Sequence, residues 1–461
     1  MRSSHRTFFT AALTLMLAAC STTPPPAQVQ TAVATGWQAP LPHSGSLEGL
    51  ARWWAQVDDP LLVELIESAQ AVSPGIAQAS SRIAQARATQ VASRAALVPS
   101  LDGQASASRG FNEQVRSTAT TVQAGLQASW ELDLFGGNAA TRTAAGERLA
   151  GAQALWHEAR VSVAAEVALQ VSSVRSCLQQ LDVAVRDLRS REETSRLSGL
   201  TERAGFTAPA TAALARASAA EAAARLSQQR TQCDVDTKAL VALTGWEEPR
   251  LRTRLATRPG QVAPDALFAI ATLPAQVLAQ RPDVYSAERD VAAASADVGS
   301  AQAQRYPRLA LSGSLGAASV RTGGVTTDLS TWTIGPLALS VPIFDGGRRA
   351  AQVDAAQARY DEAAAVYRAR VRQAVSEVEQ ALVRLQGTAE RSASARIAAE
   401  GYRASFEATE ARWRGGLASL VELEDARRTA LAAENALVAL QHERMAAWVA
   451  LYRAAGGGWN G

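Results

Sequence analysis

ELDLFGGN, residues 131–138, is echoed 210 positions later by VPIFDGGR, residues 341–348. Each phrase closes a stretch of alternating apolar and polar residues. Each then passes through a Phe and a glycine pair, Phe135-Gly136-Gly137 and Phe344-Asp345-Gly346-Gly347, into a long Ala-rich run. Other landmarks keep the same order. Pro99 and Pro307 are 208 apart, Gly205 and Gly416 are 211 apart, and Trp246 and Trp459 are 213 apart. Near-constant spacing of several landmarks marks an internal repeat, and the unit is roughly 210 residues long.

Within each unit the hydrophobic period switches from helix to strand and back. Ile76 to Val98 is Ala-rich and helical in pattern, and Pro99 ends it. Val122, Ala124, Leu126, Ala128, Trp130, Leu132 and Leu134 then alternate with polar neighbours, a period of two. Leu101, Gly103, Ala105 and Ala107 do likewise. Leu309, Leu311, Leu315 and Ala317, then Leu337, Leu339, Val341 and Ile343, repeat the pattern in the second unit. The expectation is four strands in two hairpins. After each glycine pair, apolar residues return at steps of three and four: Ala164, Val167, Val171, Val174, Leu178, Leu181, Val185 and Leu188, then Val371, Val375, Val378, Leu382 and Leu385. That 3.5-residue period suits coiled-coil packing, and helices of this length reach about 90 Å.

The chain opens with a basic segment, a short apolar stretch from Phe8 to Leu17, and Leu17-Ala18-Ala19-Cys20. This is the layout of a secretory signal, and its ending resembles a bacterial lipobox in which Cys20 carries the lipid. A plain signal with an incidental Cys is the alternative. Past the signal, no apolar run reaches the 18 or so residues of a membrane helix. The net charge of +3, with acids and bases interspersed, argues against nucleic acid as a partner. Four His and no Cys-x-x-Cys leave no basis for a metal or cofactor site, or for a nucleophile and its base. Neither glycine pair carries the Gly-Lys-Ser/Thr ending of a phosphate loop.

Strands with one apolar and one polar face fit a transmembrane barrel, and a bilayer tolerates no open sheet edge. Four strands cannot close, because such barrels begin at about eight. An oligomer must complete the barrel. A soluble four-stranded sheet capping a helical bundle is the alternative.

Trp53-Trp54 with Asp59-Pro60-Leu61, the run Leu278-Ala279-Gln280-Arg281-Pro282-Asp283-Val284, the two Phe-Gly-Gly junctions and Gly456-Gly457-Gly458-Trp459 resemble the TolC-like outer-membrane factors. The likeness is to the lipoprotein branch that serves resistance-nodulation-division (RND) efflux pumps. It implies a mixed α and β membrane protein of the cell outer membrane, with four strands per chain in a trimeric 12-stranded barrel and a periplasmic helical barrel. It also implies a homotrimer, a periplasmic membrane-fusion adaptor, an inner-membrane RND pump and no enzymatic activity. A type I secretion duct for polypeptides and a pore-less lipid-anchored scaffold are the competing functions.

These readings set out the chain as follows. A signal covers 1–19, and an extended tether covers 20–40. The first repeat is 41–250, with strands about 100–112 and 119–134, a long helix about 139–199 and a return helix about 209–244. A linker covers 251–263. The second repeat is 264–461, with strands about 308–320 and 331–344, a long helix about 348–412 and a return helix about 419–454. The tips where an adaptor would dock are Gly205, Phe206, Gly415, Gly416 and Leu417. The resemblance places a gate just past the second tip, at Val421, Glu422 and Asp425. Glu422 and Asp425 share a helix face, and rings of acids favour cations. Ser419-x-x-Glu422 is also a capping box. Cys177 and Cys233 lie 28 residues before and after Gly205, so a turn there sets them level. In an oxidising compartment they are expected to pair, two buried free thiols being the alternative.

Overall fold

The computed structural model describes residues 22–31, 59–113, 116–257 and 281–458. The elements are α1 (Pro60–Val72), α2 (Pro74–Ala95), β1 (Ser100–Asn112), β2 (Ser117–Leu132), α3 (Gly137–Arg203), α4 (Pro209–Thr244), α5 (Glu248–Thr257), α6 (Pro282–Ala303), β3 (Arg308–Thr322), β4 (Val325–Ser340), α7 (Arg348–Arg414) and α8 (Leu420–Ala454). The described residues within 1–31, 79–155 and 285–370 form one compact unit, and those within 32–78, 156–284 and 371–461 form another. The signal, Cys20, Trp53-Trp54, Leu278 to Gln280 and Trp459 lie outside the described residues.

The first unit is built on one antiparallel sheet of order β1-β2-β3-β4, so β1 and β4 are its two edges. Its register sorts the side chains by face. Gly103, Leu126, Leu315 and Trp332 lie in one row, and Trp130, Leu311 and Leu337 in another. On the opposite face, Asp102, Gln127, Ser314 and Thr333 form a row. Facing residues of antiparallel strands share a side, so the sheet has one apolar and one polar surface. β4 begins at Val325, six residues before the expected 331, because Gly323 and Gly324 both take positive φ. Such a two-residue turn lets the strands pair up to the turn itself. At the other end β2 stops at Leu132 rather than 134, and β4 at Ser340 rather than 344. Pro342 has no N–H to offer a ladder, and the two aspartates that follow are spent on capping helices.

Those caps account for the repeated phrase. Asp133 accepts the N–H groups of Asn138 (3.1 Å) and Ala139 (2.7 Å), opening α3. Asp345 accepts those of Gly347 (3.1 Å) and Arg349 (3.2 Å), opening α7. Each carboxylate satisfies donors that a helix start leaves unpaired. Gly136, Gly346 and Gly347 have left-handed φ, whereas Gly137 is already helical. The two Phe residues part ways: Phe135 stacks on Tyr306 with centroids 4.8 Å apart, and Phe344 is 92% exposed.

The expected tether is irregular over its described residues, with a bend at 27–28, and it is not free. Thr23 exchanges hydrogen bonds with the Gln302 amide (2.8 and 3.1 Å), Ser295 donates to the Pro25 carbonyl, and the Tyr360 hydroxyl donates to that of Pro26 (2.9 Å). Prolines lack N–H but keep a strong acceptor, so a Pro-rich strand can be held by hydroxyls of α6 and α7.

In the second unit the core gathers Leu61, Leu65 and Ile66 of α1, Ala164 to Val174 of α3, Leu382 and Leu385 of α7, and Trp448 and Leu451 of α8. α3 and α7 each run 67 residues, about 100 Å at 1.5 Å per residue. One stretch of α3 reaches a mean hydropathy of 1.2 over 18 residues, contrary to expectation. Its apolar residues serve this core: Ala164, Val167, Val171 and Val174 are buried. Beyond Val174 the buried line departs from the expected one. Val171, Val174 and Cys177 follow at two successive steps of three, a stammer in the heptad. The line then continues through Asp187, Arg191, Thr194 and Ser198, while Leu178 stays 37% exposed and Leu181, Val185 and Leu188 are half-buried. The expected linker 251–263 is helical to Thr257, because Leu251 and Leu255, four apart, are both buried in the core.

The Arg281-Pro282-Asp283-Val284 part of the motif is explained by the same core. Arg281, buried, bonds both Asp283 oxygens (2.9 Å each), Glu377 (2.8 Å) and the Ala454 carbonyl (3.0 Å). It joins the start of α6 to the end of α8. Removing one partner of a buried ion pair leaves charge uncompensated. Arg281→Ala is therefore expected to cost about 3–5 kcal/mol, read as a lowered unfolding midpoint.

Candidate functional site

Both helix-to-helix turns close with the same backbone device. Gly205 (φ 78°) donates its N–H to Glu202 at 3.0 Å and Phe206 donates to Thr201 at 2.9 Å. Gly416 (φ 74°) donates to Trp413 at 3.0 Å and Leu417 donates to Arg412 at 2.8 Å. These paired bonds are Schellman motifs, which need a left-handed residue at the position of each Gly. Gly415 has no such φ, so the conformational requirement falls on Gly416 alone. In the usual motif the apolar residue after that glycine packs back on the helix. Here Phe206 is 86% exposed and Leu417 74% exposed. Each turn therefore presents one unsatisfied apolar side chain.

The helices that leave the turns start differently. α4 starts at Pro209 with no side-chain cap from Ala208. α8 starts with a complete capping box, the Ser419 N–H donating to Glu422 at 2.6 Å and the Glu422 N–H donating to Ser419 Oγ at 3.1 Å. The Ser419 backbone donor, more than its hydroxyl, holds the Glu422 carboxyl below the ordinary carboxylate value. Glu422 thus serves the helix start with one oxygen. Asp425, exposed, pairs with Arg428 at 2.7 Å, and Val421 is exposed. Glu422 and Asp425 do share the outer face of α8 with Val421 and Arg428.

The inner face of α8 carries a charge cluster that the sequence reading passed over. Glu424 receives Arg191 (2.6 Å), Ser218 (2.9 Å) and Arg427. Arg191 also pairs with Asp187 at 2.8 Å, and Arg427 reaches Ser190 (3.0 Å) and Thr194 (3.1 Å). Ser190 in turn donates to Glu410 at 3.1 Å. Arg427 is only 1% exposed and lies over the Phe406 ring at 5.4 Å. Burial, more than the neighbouring Arg191, lowers its pKa, and Glu424 opposes that most. α3, α4, α7 and α8 all contribute. The signal available in sequence was partial: a 3.5-residue line resumed after the stammer at Cys177 reaches Arg191 and Ser198 but misses Asp187 and Thr194.

Cys177 and Cys233 form a disulfide with Cα atoms 5.5 Å apart, joining α3 to α4. Ser172 Oγ stands 2.9 Å from His442 Nδ1. Nearby Asp236 bonds Ser173 (3.4 Å) and Gln232 (3.0 Å) rather than the imidazole, so the three do not line up as a nucleophile with its base and orienting acid. Burial lowers the pKa of His442, and Asp236 opposes it. The contact is one between α3 and α8. Among the described residues, no group of three or more His, Cys, Asp or Glu could hold a metal ion.

The family described as "Outer membrane efflux protein" matches residues 65–246 and 273–457. The pyoverdine export outer membrane protein OpmQ of Pseudomonas putida is 30% identical, over 97% of this chain and 96% of its own length. Outer membrane protein OprJ of Pseudomonas aeruginosa is 30% identical, over 97% of this chain and 95% of its own. The solved outer-membrane channel OprN superposes with a TM-score of 0.84 at 29% identity, covering 95% of this chain and 99% of that one.

Two variants separate the inner and outer faces of α8. Glu424→Gln takes from buried Arg427 its paired carboxylate and from Arg191 one of two, and is expected to cost about 3–5 kcal/mol. Asp425→Ala, which breaks an exposed pair, is expected to stay within about 0.5 kcal/mol. Thermal unfolding of the purified protein reads both. Peptide mapping without reductant should recover Cys177 and Cys233 in one linked pair. Reduction should add about 2 Da, one hydrogen per sulfur, as the bond is cleaved.

Proposed function

The chain belongs to the outer membrane efflux protein family, and from that membership we propose that it is the passive exit channel of a tripartite RND-type efflux pump. It is an outer-membrane efflux protein, and its cargo under this reading is drugs or other small toxic compounds. Three copies, each bringing four strands, close a 12-stranded barrel, and their long helices form a water-filled tube. The observation that carries the reading is the sheet, with one apolar face, one polar face and two unpaired edges. In a bilayer those edges must pair, and copies of this chain are the partner of the right shape.

The remaining roles follow in the same reading. Cys20 carries the lipid. It stands three residues before Thr23, which is bonded to Gln302 near the foot of β3, a reach of about 10 Å. A periplasmic adaptor of the membrane-fusion type docks at the tips, where Phe206 and Leu417 offer apolar anchors and Gly205 and Gly416 set the turns. Val421 and Asp425 ring the narrowest point, with Glu422 adding its uncommitted oxygen. The inner-membrane pump supplies the drive, and the channel performs no catalysis.

Planar-bilayer recording tests both the channel and its gate. The purified oligomer should show small, cation-preferring openings, and Asp425→Ala should raise the conductance several-fold. Silence under all conditions would point to a pore-less scaffold. Unchanged conductance in Asp425→Ala would move the gate elsewhere.

A further inference from the structure

The apolar face of the sheet has a defined height. On β2 it runs from Leu132 to Val122, ten steps of about 3.4 Å. At a strand tilt of about 40° this is about 26 Å, close to the apolar band of an outer-membrane barrel. All four strands join their helices at the Leu132 end, so the hairpin turns mark the outward end. On β1 and β2 this face stays apolar as far as the Val122 row, where β3 and β4 already bring Ser319 and Asp328, and the next row is polar on all four strands. Arg109, Thr120, Arg321 and Thr326 stand side by side in register on β1, β2, β3 and β4.

Arg109 and Arg321 thus lie on the lipid-facing surface, at its outer polar boundary, flanking Thr120. They are two strands apart, about 10 Å, and both are exposed. Among the described residues neither has an ion-pair or hydrogen-bond partner. Asp328, diagonal to Arg321 on β4, does not engage it. Phe111, one row further out on the same face and exposed, supplies the aromatic residue typical of such a boundary. The pattern is specific to this end. The rows from Val122 to Leu132 carry no Arg or Lys on this face.

Resting on the barrel reading above, we propose that Arg109, Arg321 and the Thr120 hydroxyl form a clamp for phosphate groups on lipid headgroups of the outward leaflet. Guanidinium forks match phosphate oxygens two at a time, and at the edge of the apolar band the lipid chains hold the headgroup in place. Three copies would set three such clamps around the barrel.

Native mass spectrometry of the detergent-purified, full-length oligomer tests this with bis-phosphorylated lipid A as the probe and its dephosphorylated form as the second arm. The wild type should retain the phosphorylated lipid and bind the dephosphorylated one far more weakly. The double variant Arg109→Gln, Arg321→Gln should bind the phosphorylated lipid about 30-fold more weakly, at about fivefold per lost charge. Equal binding by wild type and variant, or equal binding of the two lipids, would overturn the clamp. Conductance of the same preparations separates the premises. A conducting variant that still holds the lipid defeats the clamp alone, and a wild type that never conducts defeats the barrel and the clamp with it.

Discussion

Every backbone N–H and C=O inside a bilayer has to be paired, because hydrocarbon offers no substitute for water. This chain brings four strands and leaves β1 and β4 with one unpaired side each. Exposed edges of this kind are hazards even in water. From that single constraint come the need for further copies, the head-to-tail joining of one copy's β4 to another's β1, and a closed ring of strands. The long helices follow from covalent connection, since β2 hands over to α3 and β4 to α7 within a few residues.

Duplication has kept backbone devices and let side chains diverge. Both strand-to-helix junctions use an aspartate to cap the coming helix, and both tips use a left-handed glycine in a Schellman turn. These devices depend on hydrogen bonds local in sequence, so a copied segment carries them along. Packing is a property of surroundings that were not copied. Phe135 finds Tyr306, and Phe344 finds no cover among the described residues. One return helix has a full capping box and the other has proline alone.

Charge is used in two regimes near the tips. On the outer face of α8, Asp425 and Arg428 are exposed, a pairing that contributes little and can be exchanged readily. On the inner face, Glu424 and Arg427 are enclosed with Arg191 and Asp187, and removal of any member leaves a buried charge. Arg281 plays a comparable part in the core, tying helix ends whose carbonyls would otherwise lack donors.

The sequence by itself determined the repeat, the four strands, the return helix over Pro209–Thr244 and the placing of both tips. Each of these rests on periodicity or on glycine and proline stereochemistry, which act over a few residues. The start of β4 escaped because Val325 and Leu329 fall out of step with Trp332 and Ile334, and only pairing with β3 makes the segment a strand. The docked Pro24 to Pro26 segment, the helix within the supposed linker and the buried line of α3 past Val174 were likewise decided by partners remote in sequence. The tertiary structure left Glu422 with the local cap that Ser419-x-x-Glu422 spells out, one oxygen accepting the Ser419 N–H. It alone revealed Glu424 and Arg427, because four helices must converge before their charges can meet.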